Sequence, residues 1–439
     1  MPRPFPSFES DLRLGTLPSP LLELCARLEE ANIPTWLQGD GLLSEMHSEK
    51  NGAPPQPAWG LDRKPTHSLL CGASGEAVLR ALPHAVVTTA HEARITQATT
   101  WGPVDLIPLG ETSPEEQLAR FGLSAFAFAF RPATAGWTEV NNAFQKTRAG
   151  ELGLALAGDV ANGNAFAEAP RRYWIAARLI AEYGLTPTDD LVAAAEQAFP
   201  DAFEELPLGA SARRMVDRVL ASPKPGPGLA FLRASGVTPA LFPGASVQNE
   251  DLLEHLAPLP AIRWAAWLRG SATQRGLVRL RTPHALSRRV ERVQEAHPLD
   301  RSVASLREAS IRRILNRLEP DELGALLAWR RAELEQSRNS ERLGPALLAD
   351  HAKTEERLAG IEKRIAEIQA AEERSGVVRA LALDGAAIMK ILDIGPGRQI
   401  GQLLAHLAQF IEAHPEKNDR EALEEELRDF VARNPEKIR

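Results

Sequence analysis

Short apolar runs and amphipathic segments alternate through the first third of the chain. Residues 19–30 show helical periodicity, with Ser19 as a capping residue and Pro20 in the first turn. Residues 33–38 are typical of a strand that runs into a glycine turn. Residues 66–83 combine an apolar run, a small-residue turn and an amphipathic segment, which predicts a strand, a tight turn and a helix.

Other segments complete this first region. Ser74 is the predicted N-cap of the helix within 66–83. The polar, Pro- and Gly-rich residues 48–66 predict a loop. Three further segments that alternate or run apolar predict strands: residues 84–87, 95–100 and 104–107.

Helical patterns dominate from about residue 165 onward. Residues 352–374 form a long charged segment with one apolar stripe, made of Leu358, Ile361, Ile365 and Ile368. Two arrangements would cover that stripe: an antiparallel helical hairpin within the same tail, or a coiled-coil dimer. The order of elements predicts strands and helices in the first part of the chain and helices in the rest.

Composition narrows the class of protein. The chain has 439 residues and only two cysteines, Cys25 and Cys71, which predict neither a disulfide framework nor a metal cluster. There is no apolar run of about 18 residues, so we expect no membrane span. The first residues lack the apolar core of a signal peptide, and we therefore expect a cytoplasmic protein.

Charge is distributed unevenly along the sequence. The net charge is −7, yet residues 263–317 contain 13 Arg and 4 acidic residues, which gives 13 − 4 = +9. This asymmetry indicates either a basic, polyanion-binding face or an ordinary solvated helical surface.

Several stretches occur in an order that points to one family. Residues 75–79 read GEAVL after a small-residue turn, residues 228–243 begin GLAFL and end LFP, and residues 394–404 read IGPGRQIGQLL. Together they resemble the tRNA nucleotidyltransferases and their bacterial poly(A) polymerase relatives. The resemblance implies an α+β protein, with a small nucleotidyltransferase-type α/β head that has a mixed sheet, followed by an all-α neck, body and tail. The expected bounds are 1–150 for the head, 151–208 for the neck, 209–335 for the body with a basic face and 336–439 for the tail.

The metal-binding positions of that family are mostly lost. Its two D-x-D aspartates fall on Thr66 and Ser68, and its third carboxylate falls on Asp105. Because Mg²⁺ prefers anionic oxygen ligands, two neutral hydroxyls do not replace two carboxylates. We therefore predict no metal site and no cofactor.

The nucleotide-binding positions of the family are partly kept. Gly39 is in register with the family's phosphate-binding glycines, Arg172 and Arg178 with its neck motif, and Arg214 with its base-reading motif. Other polar positions of these motifs are replaced: Leu42, Leu43, Arg213 and Arg218. The resemblance implies that the four matching residues form what remains of a nucleotide site.

Three functions follow from this pattern. The first is a non-catalytic family member that binds RNA, with tRNA as the expected partner. The second is an active enzyme that adds CMP or AMP to RNA 3′ ends with Mg²⁺, using Asp40, Asp62 and Asp105 as substitute ligands. The third is a scaffold that binds a protein partner through its charged C-terminal helices and has no role with RNA.

The RNA-binding hypothesis has its own candidate residues. Four arginines within residues 263–317 are the predicted contacts: Arg288, Arg289, Arg312 and Arg313. Alternatively, these arginines pair with the acidic tail at Glu424, Glu425 and Glu426 and bind no ligand.

Overall fold

The computed structural model describes most of the chain, namely residues 17–51, 67–89, 94–155, 164–244, 248–270, 273–303, 305–339, 345–375 and 381–434. Two compact units are present, Met1–Val290 and Glu291–Arg439. The four-part division into head, neck, body and tail is finer than this and stays a prediction.

A seven-stranded mixed sheet forms the head. Its strands are β1 (Thr35–Gln38), β2 (Ser68–Cys71), β3 (Val86–Thr89), β4 (Arg94–Ala98), β5 (Pro103–Pro108), β6 (Phe128–Arg131) and β7 (Gly136–Glu139). Their order in the sheet is β3-β4-β5-β2-β1-β6-β7, with β2 and β5 parallel and the other neighbours antiparallel. The predicted α+β class with a mixed sheet is confirmed.

Strand register separates an apolar row from a polar row. Leu37, Leu69 and Leu106 are register partners across β1, β2 and β5, and all three are fully buried. Successive side chains of a strand point to opposite faces, so the neighbouring residues Gln38, Ser68 and Asp105 share the other face. The strand register that aligns the three buried leucines therefore also aligns Gln38, Ser68 and Asp105 on the opposite face.

Five helices accompany the head sheet: α1 (Ser19–Glu30), α2 (Asp40–Asn51), α3 (Gly75–Ala81), α4 (Pro114–Arg120) and α5 (Ala143–Ala149). The predicted cap of α3 is confirmed, because the Ser74 hydroxyl accepts a hydrogen bond from the Ala77 amide at 3.3 Å.

Two local predictions in this region need correction. Ser19 does not cap α1, because Pro18 occupies the N-cap position and Ser19 is already helical. The loop predicted at 48–66 begins later, since α2 continues to Asn51. Ser48 is accommodated there by donating its hydroxyl to the Ser44 carbonyl at 2.8 Å. Residues 52–66 lie outside the described residues.

In its described residues, the remainder of the first unit consists of helices, connecting turns and two short parallel strands, β8 (Glu151–Leu152) and β9 (Thr186–Pro187). Its helices are α6 (Asn164–Ala167), α7 (Arg172–Tyr183), α8 (Asp189–Ala202), α9 (Ala210–Ala221), α10 (Pro225–Ala234), α11 (Val237–Leu241), α12 (Gln248–Leu252), α13 (Pro260–Trp267) and α14 (Thr273–Arg279). The next helix, α15 (His284–Ala296), contains the residue at which the two units are divided.

Helix α7 is the buried centre of this region. A Cβ at Gly228 of α10 would overlap the Ala177 carbonyl of α7, so glycine allows the two helices to approach closely. The Tyr173 hydroxyl donates to the Ala195 carbonyl of α8 at 2.7 Å, and the Trp174 indole donates to the Pro207 carbonyl at 3.0 Å. Helix α7 is thereby fixed against its neighbours.

The second unit is helical in its described residues. Its helices are α16 (Leu299–Ser302), α17 (Glu308–Leu315), α18 (Pro320–Asn339), α19 (Pro345–Ser375), α20 (Gly385–Leu392), α21 (Arg398–Ala413) and α22 (Arg420–Arg433). Helices α18 and α19 are antiparallel, with ion pairs Arg331–Glu362 at 2.6 Å and Arg338–Glu355 at 2.8 Å. The four residues of the apolar stripe are buried within the chain, where α19 contacts α16 and α17 as well as α18.

Replacing Gly41 in α2 tests how tightly this helix lies against the sheet. A Cβ at Gly41 would overlap the buried His67 ring, so Gly41→Ala should lower the free energy of unfolding by about 1–3 kcal/mol. Gly401→Ala in α21 is the matched control, because its Cβ would meet open space and should stabilise by roughly 0.5–1 kcal/mol. Urea denaturation of both variants measures the difference. Equal stability of the two variants would contradict the close contact between α2 and His67.

Candidate functional site

The polar row across the head sheet is the candidate functional site. Gln38, Ser68, Asp105 and Thr96 are consecutive register partners on β1, β2, β5 and β4. The Thr96 hydroxyl donates to Asp105 Oδ1 at 3.0 Å, and Arg94 Nη1 lies 3.9 Å from Asp105 Oδ2. The remaining carboxylate of the row is therefore already contacted by a hydroxyl and a guanidinium of the neighbouring strand.

The other members of the row are neutral. Ser68 is half-buried and contributes only a hydroxyl. Gln38 is buried, and its amide donates to the Phe126 carbonyl at 3.1 Å. Thr66 and Asp62, which the sequence analysis also considered, lie outside the described residues.

His67 belongs to the other side of the sheet. It immediately precedes Ser68, and strand alternation sends its side chain away from the polar row. The ring is buried beside Gly41, and its centroid is 4.9 Å from the Trp101 ring. Burial lowers the pKa of His67 to about 4. At neutral pH His67 is thus an uncharged core residue.

A buried charge network joins the head to the helices that follow it. Arg178 of α7 lies 2.7 Å from Asp40 Oδ1 and 2.9 Å from Glu182 Oε2. Arg218 of α9 lies 2.5 Å from the other oxygen of Glu182. Burial alone would lower the pKa of Arg178, but the Asp40 and Glu182 carboxylates raise it above its usual value. Arg178 is therefore a buried cation held between two anions.

Two residues that were predicted to bind a ligand, Arg178 and Asp40, bind each other within this network. Arg178, a predicted nucleotide contact, is 2% exposed and binds two carboxylates of its own chain. Asp40, a predicted substitute metal ligand, is its partner. Sequence analysis missed Glu182, although its position four residues after Arg178 on a helix was a usable signal.

Arg172, another predicted nucleotide contact, is bound to backbone carbonyls. Its guanidinium donates to the carbonyls of Phe121, Ala165 and Arg120, the first at 2.9 Å. Burial lowers the pKa of Arg172, with a smaller effect from Arg171. These bonds connect the end of α4 to the start of α7.

The remaining nucleotide candidates differ in their surroundings. Gly39 has a φ of 97° in the turn between β1 and α2, a conformation that favours glycine. Arg214 of α9 is exposed. The two arginines that stand in place of the family's base-reading acids pair internally: Arg213 lies 2.5 Å from Asp217, and Arg218 binds Glu182.

This donor set does not fit a pair of Mg²⁺ ions. Two-metal sites need several carboxylates around both ions, and the polar row has one, Asp105. Among the described residues, no group of three or more His, Cys, Asp or Glu side chains could hold a metal ion. Asp40 is engaged by Arg178 instead.

The arginines predicted to bind RNA lie on α15 and α17. Arg288 and Arg313 are exposed, whereas Arg289 is half-buried. Arg312 is paired with Glu308 at 2.8 Å, with its side chain 12% exposed. Of the four candidates, Arg288 and Arg313 are the most accessible.

The acidic tail has partners of its own. On α22, Glu424 pairs with Arg420 at 2.9 Å and with Arg428 at 3.2 Å. Glu426 accepts from His406 at 2.8 Å and lies 3.4 Å from Arg433. Two of the three tail acids are therefore neutralised from within the tail, which corrects the expectation that they pair with the arginines of residues 263–317.

Comparison with solved structures defines the class of fold. The Bacillus stearothermophilus CCA-adding enzyme in complex with CTP matches with a TM-score of 0.65 at 13% identity, over 96% of this chain and 100% of that chain. The Thermotoga maritima CCA-adding enzyme complexed with tRNA matches with a TM-score of 0.58 at 15% identity, over 94% and 96% of the two chains. A CCA-adding enzyme with ATP gives 0.60 at 14% identity, over 94% and 96%.

These matches establish the fold, in which a head built on a mixed sheet is followed by helices. The fold is that of the CCA-adding enzymes, which are tRNA nucleotidyltransferases. No family model and no curated protein matches the sequence. No helix within the described residues has the length and apolarity needed to cross a membrane.

Removing the buried cation tests the charge network. Arg178→Met keeps much of the side-chain volume but leaves Asp40 and Glu182 without their shared partner, so the free energy of unfolding should fall by about 3–5 kcal/mol. Arg214→Met, on the exposed face of α9, should change it by less than about 0.5 kcal/mol. Denaturant titration at neutral pH compares the two. A loss below about 1 kcal/mol for Arg178→Met would show that the network contributes little.

Proposed function

We propose that this protein is a non-catalytic member of the tRNA nucleotidyltransferase and poly(A) polymerase family that binds RNA, with tRNA as its ligand. The observation that carries the proposal is the polar row of the head. In that row one carboxylate, Asp105, stands beside the neutral Ser68 and Gln38 and receives the Thr96 hydroxyl.

The small number of negative charges in the polar row is the reason to expect no nucleotide transfer. Nucleotide transfer by two metal ions needs carboxylates that bind both ions, one ion activating the attacking hydroxyl and the other holding the triphosphate. Asp105 alone supplies one anionic group. Arg94 lies 3.9 Å from Asp105 and, as a nearby positive charge, weakens its attraction for a cation.

An active enzyme with substitute ligands is less well supported. Asp40 is committed to Arg178, and Asp105 is bound from β4 by Thr96. The two carboxylates thus serve separate contacts. A metal site built on them would first have to break the Asp40–Arg178 pair and leave a buried arginine without that partner.

RNA binding is supported by the fold and by the exposed arginines. One structural neighbour was solved with tRNA bound. Arg288 and Arg313 are exposed, and the acids of the tail are occupied by other partners. The proposal includes a cytoplasmic location, which the free and buried Cys25 and Cys71 support because reducing compartments keep thiols unpaired.

The catalytic half of the proposal is tested by a transfer assay. Purified protein with Mg²⁺, labelled CTP or ATP and a tRNA that lacks its 3′ end should transfer no label, because the metal-binding pair is missing. A CCA-adding enzyme assayed in parallel shows that the substrate is competent. Label transfer that Asp105→Ala abolishes would instead establish the active-enzyme alternative.

The binding half is tested by the salt dependence of tRNA affinity. Backbone contacts release counterions, so the log–log slope of affinity against salt should be roughly −0.9 per phosphate neutralised on a duplex stem. Arg288→Glu and Arg313→Glu should each weaken binding and flatten the slope by about 1. Arg80→Glu, which reverses an exposed arginine in the last turn of α3, is the control. A protein that ignores tRNA at low ionic strength would remove the RNA-binding proposal.

A further inference from the structure

Helix α14 presents an unusual outer surface in the first unit. Arg275, Val278 and Arg279 are exposed on it, and Arg281 is exposed immediately after it. Val278 is 71% exposed, the highest value among the exposed large hydrophobic residues of the described chain. One solvent-facing apolar side chain and three exposed arginines therefore lie within seven consecutive residues.

The inner face of α14 fixes this orientation. A Cβ at Gly276 would overlap the buried Phe242 ring, so the glycine lets the helix lie directly on that ring. Leu277 and Leu280 are buried beside it. Because residues 275 and 279 are one helical turn apart, their side chains project from the same outer side as Val278. Because the opposite face of α14 packs into the core, these arginines are left exposed to solvent.

The apolar part of the surface continues beyond the helix. A Cβ at Gly209 would lie 3.4 Å from Arg281 Cδ, so the aliphatic stem of Arg281 rests on the backbone there. The adjacent Leu208 is 38% exposed. Together, Leu208, Arg275, Val278, Arg279 and Arg281 form what we call the α14 surface.

No arginine of the α14 surface forms an ion pair with a described acidic side chain. Arg279 donates to the Ala240 carbonyl at 3.4 Å, a contact with a neutral group. Arg275 and Arg281 have no ion pair among the described residues. By contrast, Arg263 is buried against three backbone carbonyls, and Arg312 and Arg317 pair with Glu308 and Glu295. Arg275, Arg279 and Arg281 are therefore exposed cations of residues 263–317 that no described acid neutralises.

We propose that the α14 surface binds single-stranded RNA, with its arginines on successive phosphates and Val278 and Leu208 against an unpaired nucleotide. This inference rests on the proposed RNA-binding function and adds the strand type and the surface. Charge complementarity selects a polyanion. An exposed apolar side chain among the arginines favours a strand whose bases and sugars are accessible, because a duplex hides its base faces by stacking and pairing.

Fluorescence anisotropy with two labelled probes tests this assignment: a single-stranded RNA of about 12 nucleotides and a duplex of the same length. Arg275→Glu and Arg279→Glu should each weaken single-strand binding by roughly five- to tenfold and reduce the salt slope by about 0.7. Arg80→Glu is the matched control, since Arg80 and Arg279 are both exposed arginines in the last turn of a seven-residue helix.

The apolar contact is tested separately. Val278→Ser should weaken single-strand binding about threefold or more and leave duplex binding unchanged, because only an unpaired nucleotide can bury the methyl groups. Val86→Ser, at a position 62% exposed on β3, is the control for loss of an exposed valine. All substituted side chains are exposed, and matching thermal melts verify that the variants stay folded.

The outcomes separate this inference from the proposed function. If tRNA binds but the single strand does not, or if the α14 variants bind the single strand like the wild type, the inference is overturned and the proposed function stands. If neither RNA binds, both are overturned. Binding of the α14 surface to anionic phospholipid vesicles, with no RNA binding, would assign the surface to a membrane and overturn the inference.

Discussion

The buried pairing of Arg178 with Asp40 and Glu182 is the charged contact that joins the head to the helices that follow it. Asp40 begins the helix that follows β1, while Arg178 and Glu182 belong to α7. A guanidinium that is 2% exposed needs anionic partners, because an unpaired buried charge costs several kcal/mol. Asp40 therefore connects the head to α7 by pairing with Arg178. The same carboxylate is then unavailable as a metal ligand.

Apolar and polar positions of the head follow different constraints. The row Leu37, Leu69 and Leu106 fills one face of the sheet, and a one-residue shift of register would expose it. The polar row on the opposite face has no such constraint, because Ser68 is only half-buried and the Gln38 amide donates to the Phe126 carbonyl. The fold can thus persist when the carboxylates of the polar row are replaced.

Local sequence patterns predicted much of the fold and less of the site. The Ser74 cap and the strands could be predicted because hydrogen bonds three residues apart and alternation along a strand are local. The Asp40–Arg178 pair joins residues 138 apart, and the carbonyl partners of Arg172 lie as far as 52 residues away. No periodicity marks such contacts. Arg178 and Arg172 matched a family motif, yet their partners are visible only in the folded chain.

Counting arginines in residues 263–317 gave the correct sign of charge but not its location. Burial and local pairing decide the difference, because a guanidinium binds a polyanion directly only when it is exposed and no nearby acid cancels its charge. Arg263 is buried against carbonyls, with its pKa lowered by burial to about 10, and Arg312 is neutralised by Glu308. Gly276 has no side chain, so one side of α14 packs directly on the Phe242 ring. Arg275 and Arg279 lie on the other side of the helix and are exposed. A glycine in the core thereby leaves two cations of this segment accessible to a polyanion.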